Sequence, residues 1–430
     1  MPVPIRSARH SAAQLVFFLI VAIGPMVWAS PIPAAPFVMH RAINIAQWFT
    51  WPCYEASGAG IAWPPYKDTP KPPNAAELAA LHQAGFDTVR LPVDPAPFMV
   101  FKGEQLNAVY QMLFDAIERI RSAGMKVIVD LHPNSRHPVW GQNAVIAGLE
   151  APTFTALSNA VEDVARHLSR FPASDVALEL INEPRLKCKV ADQTLWQQML
   201  KALIERARAG NSEITLIVTG ACISTPDGLL ALDPTMLGDR SLVYTFHYYE
   251  PFTFTHQGAQ FIPWPDKYLD GVPWPAKARP IEQPLADLAR NVQAMNLDEP
   301  ARQTALAGAR NNLEKFYASN AGPDLIEKRF AAVAAWATQH QIPPNRIFIG
   351  EFGVLRHQGN APGARCADRA RWLADVRSAA DRYGFSWSYF NYDGPFAVLI
   401  DDKNRQLDPI VLASLGLADE AQGACQDRQE

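Results

Sequence analysis

Two glutamates stand where short apolar runs end. Glu183 closes the run Val176-Ala-Leu-Glu-Leu-Ile-Asn182, and Glu351 closes Ile347-Phe-Ile-Gly350. Paired carboxyl groups facing one cavity are the equipment for cleaving a glycosidic bond: one gives and takes a proton, the other attacks the sugar carbon or activates water. Other polar or ring-bearing residues close further runs: Arg90 in Val-Arg-Leu-Pro, His132 in Asp-Leu-His, Asn182, His247 with Tyr249 in Phe-His-Tyr-Tyr, and Trp387 in Ser-Trp-Ser-Tyr. Taken singly, each has an ordinary structural role as ion-pair partner, clamp, satisfied histidine or core ring. Their joint occurrence at the ends of successive runs is what points to a site.

The elements that must position them follow from periodicity. From Ala42 onward, β-rich runs alternate with amphipathic helical patterns, the signature of repeated βα units around a parallel sheet. Strands are predicted over 43–49, 86–93, 126–132, 176–182, 214–219, 242–247, 347–351 and 385–390. Between them, Asn74 and Glu77 form a capping box, Leu106, Val109, Tyr110, Leu113, Ile117 and Ile120 recur at helical spacing, and Asp408 with Pro409 opens the last helix. Eight such units in a chain of 430 residues predict an α/β fold, a single (β/α)8 TIM barrel over 42–417. In that fold the ends of the strands face the chemistry. A Pro- and aromatic-rich insertion after the sixth strand, running to about 320, has the length of a functional loop. Loop aromatics Trp51, Trp63, Tyr66, Trp140, Tyr248, Phe252, Phe254, Trp264 and Trp274 are candidate stacking platforms for sugar rings.

Composition narrows the partners. Hydrophobic residues make up 48% and charged residues 19%, which supports a large core, and a formal charge of −4 with no long basic run argues against nucleic acid. Arg6, Arg9 and His10, then an apolar stretch around Leu15–Ile23, then Val27-Trp-Ala29, read as a secretory signal over 1–29, followed by an extension over 30–41. The expected location is periplasmic or secreted, with membrane attachment only if the signal is uncleaved. A tail covers 418–430. The five cysteines include no C-x-x-C pair, so no zinc or redox motif is expected, and the odd count leaves at least one thiol unpaired. Cys188 and Cys222 follow the fourth and fifth strands, on adjacent loops of one barrel face, where a bridge would brace the catalytic end.

Leu180-Ile-Asn-Glu-Pro184 and Ile349-Gly-Glu-Phe-Gly353 resemble the two signature strand ends of glycoside hydrolase family 5, the cellulase-type retaining barrels, and the contexts of Arg90, His132, His247 and Tyr249 agree over about 42–415. The resemblance implies Glu183 as acid/base and Glu351 as nucleophile. Burial and the charge of Glu351 would keep a proton on Glu183, while Arg90 and Tyr249 would favour an ionised Glu351. Asn182 would bind the sugar 2-hydroxyl, His132 and His247 would be sugar ligands or orienters, and Trp387 would contact substrate. One departure stands out: where many members carry a sugar-stacking tryptophan on the last strand, this chain has Phe390. The resemblance implies an endo-acting β-glucanase that needs neither metal nor organic cofactor. A transglycosylase on the same residues and a non-catalytic carbohydrate-binding barrel are the rivals. A metal-dependent barrel hydrolase would need a His-x-His pair that the first strand lacks.

Overall fold

The computed structural model describes residues 1–4, 36–58, 60–133, 137–239, 241–357, 361–418 and 425. Beyond Met1–Pro4, the expected signal segment lies outside the described residues, as does the tail apart from Cys425 and its first residue, Ala418. The chain divides after Pro33, and the fold below belongs to the unit Ala34–Glu430.

Eight parallel strands close into a barrel in sequence order. They are β1 (Arg41–Asn44), β2 (Thr88–Val93), β3 (Lys126–Leu131), β4 (Val176–Glu179), β5 (Thr215–Thr219), β6 (Val243–Tyr248), β7 (Ile347–Phe352) and β8 (Ser386–Tyr389). β1 pairs with β8 through Ile43 and Tyr389, which closes the ring. The helices that return the chain start and stop where local chemistry dictates. Asn74 caps Ala75–Gln83 with its side chain on the Glu77 amide, Gly384 adopts a left-handed conformation to end Cys366–Tyr383, and Asp408 caps Pro409–Ser414.

Alternation along each strand sorts the side chains. Val89, Leu91, Val127, Val129, Leu178, Leu216, Phe246 and Trp387 point outward into the main core beneath the helices. Inside the barrel lie two storeys. The lower is apolar: Ala42, Ile128, Ala177, Ile217, Val243 and Phe348, joined by Phe37 and Met39 from the segment before β1. Two residues further along these strands stand Asn44, Asp130, Glu179, Thr219 and Thr245, joined by Arg90 from β2 and Ser388 from β8, all buried. One periodicity therefore supplies a dry floor and a polar ceiling.

The insertion after β6 is not an irregular loop. It folds into helices Glu282–Ala294 and Glu299–Ala318, because Leu288 with Val292, and Ala305, Ala309, Leu313 with Phe316, bury one face of each. Its Pro-rich composition obscured that spacing in the sequence. Disulfides join Cys188 to Cys222, as expected, and Cys366 to Cys425, while Cys53 is free. Among the described residues, no helix is long and apolar enough to cross a membrane.

Candidate active site

Strict alternation would turn Glu351 outward, since Phe348 faces the barrel interior. Instead the register of β7 shifts against both neighbours near this point, and Glu351 faces inward while Phe352 joins the outer core. Gly350 makes the shift possible: a Cβ there would lie 2.6 Å from Thr245 Oγ1 and 3.1 Å from His247 Nε2. The end of β4 departs from regularity in another way. Leu180 and Ile181 both join the outer core, and Glu183 takes a left-handed backbone with φ of 42°. Such a conformation costs a non-glycine residue about 1–3 kcal/mol and must be held from outside. The buried side chain of Gln142 does so, donating to the carbonyls of Asn182 (3.0 Å) and Glu183 (2.5 Å).

Arg90 is the hub of the site. Its Nε and Nη2 donate to the two oxygens of Glu179 at 2.8 Å each, and Nη2 also reaches Asn182 Oδ1 at 2.9 Å and Asp130 at 3.0 Å. Nη1 donates to Asn44 Oδ1 and Glu351 Oε1, both at 2.8 Å. The other oxygen of Glu351 accepts from the Tyr249 hydroxyl at 2.9 Å. His132 bridges Asp130 (2.8 Å from Nδ1) and the Asn182 amide (3.2 Å from Nε2), so both its nitrogens are occupied within the protein. His247 Nδ1 lies 2.9 Å from Glu183 and 3.6 Å from Glu351. One oxygen of each glutamate and a ring nitrogen of His247 all fall within 4.8 Å of one another. That trio is also the group of the described residues whose ligand atoms converge closely enough for a cation.

Burial dominates the proton equilibria. It pushes Asp130 up to about 7, against the pull of Arg90 and with help from Glu183, and it raises Glu179 despite Arg90. A single guanidinium, Arg90, does not offset the desolvation of both Asp130 and Glu179. Burial likewise raises Glu183, while His132, Arg185 and Arg90 pull it down. His247 is brought down to about 4 by burial, so its imidazole is neutral at pH 7 and Nδ1–H can donate to Glu183. The Tyr249 hydroxyl is raised well above its ordinary value, by burial first and Glu351 second, and stays a donor.

Of the residues expected from sequence, Glu183, Glu351, Arg90, His132, Asn182, His247 and Tyr249 come together. Trp387 does not. It is 1% exposed on the outer face of β8, packed edge-on to Phe86 and Phe352, because the inward positions of that strand are Ser386 and Ser388. Phe390, just past β8, does reach the site, with its ring 6.5 Å from Tyr249. Tyr248, Phe254 and Trp274 are buried in the main core and offer no platform, whereas Trp51, Trp63 and Trp264 are exposed. From Tyr249, rings continue through Phe252 (6.4 Å) to Trp264 (5.5 Å further). Sequence reading missed Asn44, Asp130, Glu179 and Gln142. The first three lie on the inward parity of their strands, a signal available in the run itself; Gln142, which opens the short helix Gln142–Val145 after β3, had none.

The family model for cellulase, glycosyl hydrolase family 5, matches residues 46–394. Endoglucanase 3 of Fibrobacter succinogenes is 23% identical over 341 residues, which cover 76% of this chain and 47% of that protein. Endoglucanase C of Acetivibrio thermocellus is 23% identical over 326 residues, covering 74% of this chain and 82% of that protein. The chain thus spans just under half the length of the first relative. Among solved structures, cellulose synthase subunit Z (CcsZ) of Clostridioides difficile superposes with a TM-score of 0.62 at 21% identity, covering 88% of this chain and 99% of that one. Endoglucanase Cel5A of Thermotoga maritima gives 0.61 at 19% identity, covering 87% and 96%. These structures share the fold.

Proposed function

Because the chain belongs to glycosyl hydrolase family 5, and is a glycoside hydrolase on that ground, we propose that it cleaves β-linked glucan internally, with retention of anomeric configuration. The carrying observation is that one oxygen of Glu183, one oxygen of Glu351 and a ring nitrogen of His247 lie within 4.8 Å of one another. It supports a retaining enzyme, whose carboxyl groups stand about 5–5.5 Å apart, over an inverting one at about 6.5–9.5 Å.

In the first step the Glu351 carboxylate attacks the anomeric carbon, the bond to the leaving sugar breaks, and Glu183 gives its proton to the departing oxygen. In the second, water attacks the same carbon, its proton passes to Glu183, and Glu351 leaves as carboxylate. Both carboxyl groups return to their starting forms. Arg90 and Tyr249 hold one oxygen each of Glu351 and fix its direction of approach. Asn182, pinned between Arg90 and His132, keeps one amide hydrogen for the sugar 2-hydroxyl. His132, with both nitrogens engaged, acts as an orienter. Phe390 takes the place of the family's stacking tryptophan.

Residues 1–29 act as an export signal in this reading, and the two disulfides are of the kind that persist outside the reducing cytosol. The test is reducing-end release across cellulose, mixed-linkage glucan, mannan and xylan, with proton NMR of the first product formed. A β-anomer appearing first supports retention, and an α-anomer overturns it. Products longer than the substrate would instead identify transglycosylation.

A further inference from the structure

The segment that follows Glu183 carries charges that the stability of the fold does not ask for. Arg185, Lys187 and Lys189 are all exposed, with Pro184 buried and Leu186 half-buried between them. No turn interrupts 183–187, so alternation puts the cations on the outer side while Leu186 packs on the core. Between Pro184 and Gln193 they face a single carboxylate, Asp192. None of the three forms an ion pair with another described residue. Two of them sit where they do harm. Arg185 draws down the proton affinity of Glu183, against its role as an acid. Lys189 is the N-cap of helix Val190–Gly210, the positive end of the helix dipole, and its side chain makes no capping bond there. Local rules broken in this manner, with no compensating contact, mark function rather than stability.

The segment is also held rigidly. The disulfide from Cys188 to Cys222 ties it to the loop after β5, and the amides of Cys222 and Ile223 donate to the carbonyls of Leu186 (3.0 Å) and Pro184 (3.2 Å). A general acid stands on the leaving-group side of the scissile bond, so the chain running on from Glu183 borders the departing sugars. We propose that this cationic lip is a subsite for acidic substituents, and that the substrate is an anionic β-glucan, bearing carboxylate or similar groups on the sugars that leave. The inference rests on the glycosidase reading above and names the substrate class within it.

Carboxymethylcellulose and hydroxyethylcellulose of matched length supply an anionic and a neutral probe. The protein should favour the anionic polymer in kcat/KM at low salt, and the preference should fade as ionic strength rises toward ~0.5 M, where exposed pairs are screened. In the Arg185→Gln/Lys187→Gln/Lys189→Gln variant, the ratio of kcat/KM on the anionic to the neutral polymer should fall about tenfold, the scale of a few exposed charge pairs. Because the readout is a ratio, a general loss of activity does not mimic it. Affinity electrophoresis of Glu351→Gln protein through gels holding either polymer measures the same preference without turnover. Hydrolysis of both polymers with an unchanged ratio in the triple variant, or equal retardation in both gels, overturns the lip and leaves the glycosidase reading intact. Selective retardation by the anionic gel, lost in a variant that also carries the three substitutions, supports the lip even if neither polymer is cut, and it is then the choice of β-glucan hydrolysis that falls.

Discussion

The ends of β4 and β7 present their glutamates in opposite ways. Glu351 remains within its strand, turned inward by a register shift, buried, with a donor on each oxygen. Glu183 stands past the last residue of its strand, in a left-handed conformation and partly exposed, with His247 on one oxygen and Gln142 holding its carbonyl. A group that attacks as an anion gains from two fixed donors, which aim it and stabilise its charge. A group that must give up and regain a proton gains from desolvation and from access to water. The two settings match the different roles proposed for the two glutamates, and substitutions should separate them.

The largest effect falls on the β7 side. On the proposed mechanism Glu351→Ala removes the covalent route, so kcat/KM should drop by about 10⁴-fold or more for every substrate, whatever its leaving group. Dinitrophenyl glycosides and polymer assayed together check this, and a variant that spares the activated glycoside would reverse the roles. Glu183→Ala should cost about 10²–10⁴-fold on polymer, the worth of general acid–base assistance, while the dinitrophenyl substrate still forms its glycosyl intermediate. Added azide should then rescue turnover and give the β-glycosyl azide; an α-product from this variant contradicts the comparison.

A smaller effect tests what holds the β4 side in place. Gln142→Ala frees two carbonyls at a strained turn, and kcat should fall about 10- to 100-fold with KM little changed, since misplacing a reacting group by an ångström has that consequence. Loss should be greatest with poor leaving groups, and a rise in KM alone would show that Gln142 does not position Glu183.

The finest test is the pH profile. Burial raises Glu183, and the proposed mechanism needs its protonated form, so rate should be present below its pKa and lost as pH rises through it. Arg185 opposes that rise. Arg185→Gln should therefore move the alkaline limb of kcat/KM to higher pH, and a limb that stays put or moves down assigns it to another group.

Much of this site was visible in the chain. Arg90, His132, Asn182, Glu183, His247 and Glu351 stood out because polar residues interrupt apolar runs at or near the ends of successive strands, although Arg90 lies in the middle of β2. Trp387 misled for the same reason: it occupies a strand, but on the parity that faces the helices. Glu179 and Asp130 lay within the predicted strands and not at their ends, although alternation with Ala177 and Ile128 puts them on the inner face. The helices of the insertion were hidden by its prolines and rings.

Periodicity and capping residues, which act over a few positions, determined the eight βα units and hence the barrel with its reactive end. They could not determine which way Glu351 points, because the register shift beside Gly350 arises from pairing with β6 and β8. Nor could they show that a glutamine after β3 would hold the turn at Glu183, or that Arg185, Lys187 and Lys189 would be left without ion-pair partners among the described residues. Those outcomes depend on contacts between segments far apart in sequence. Such contacts exist only once the barrel has closed, and side-chain direction, burial and proton affinity at the site are set by them.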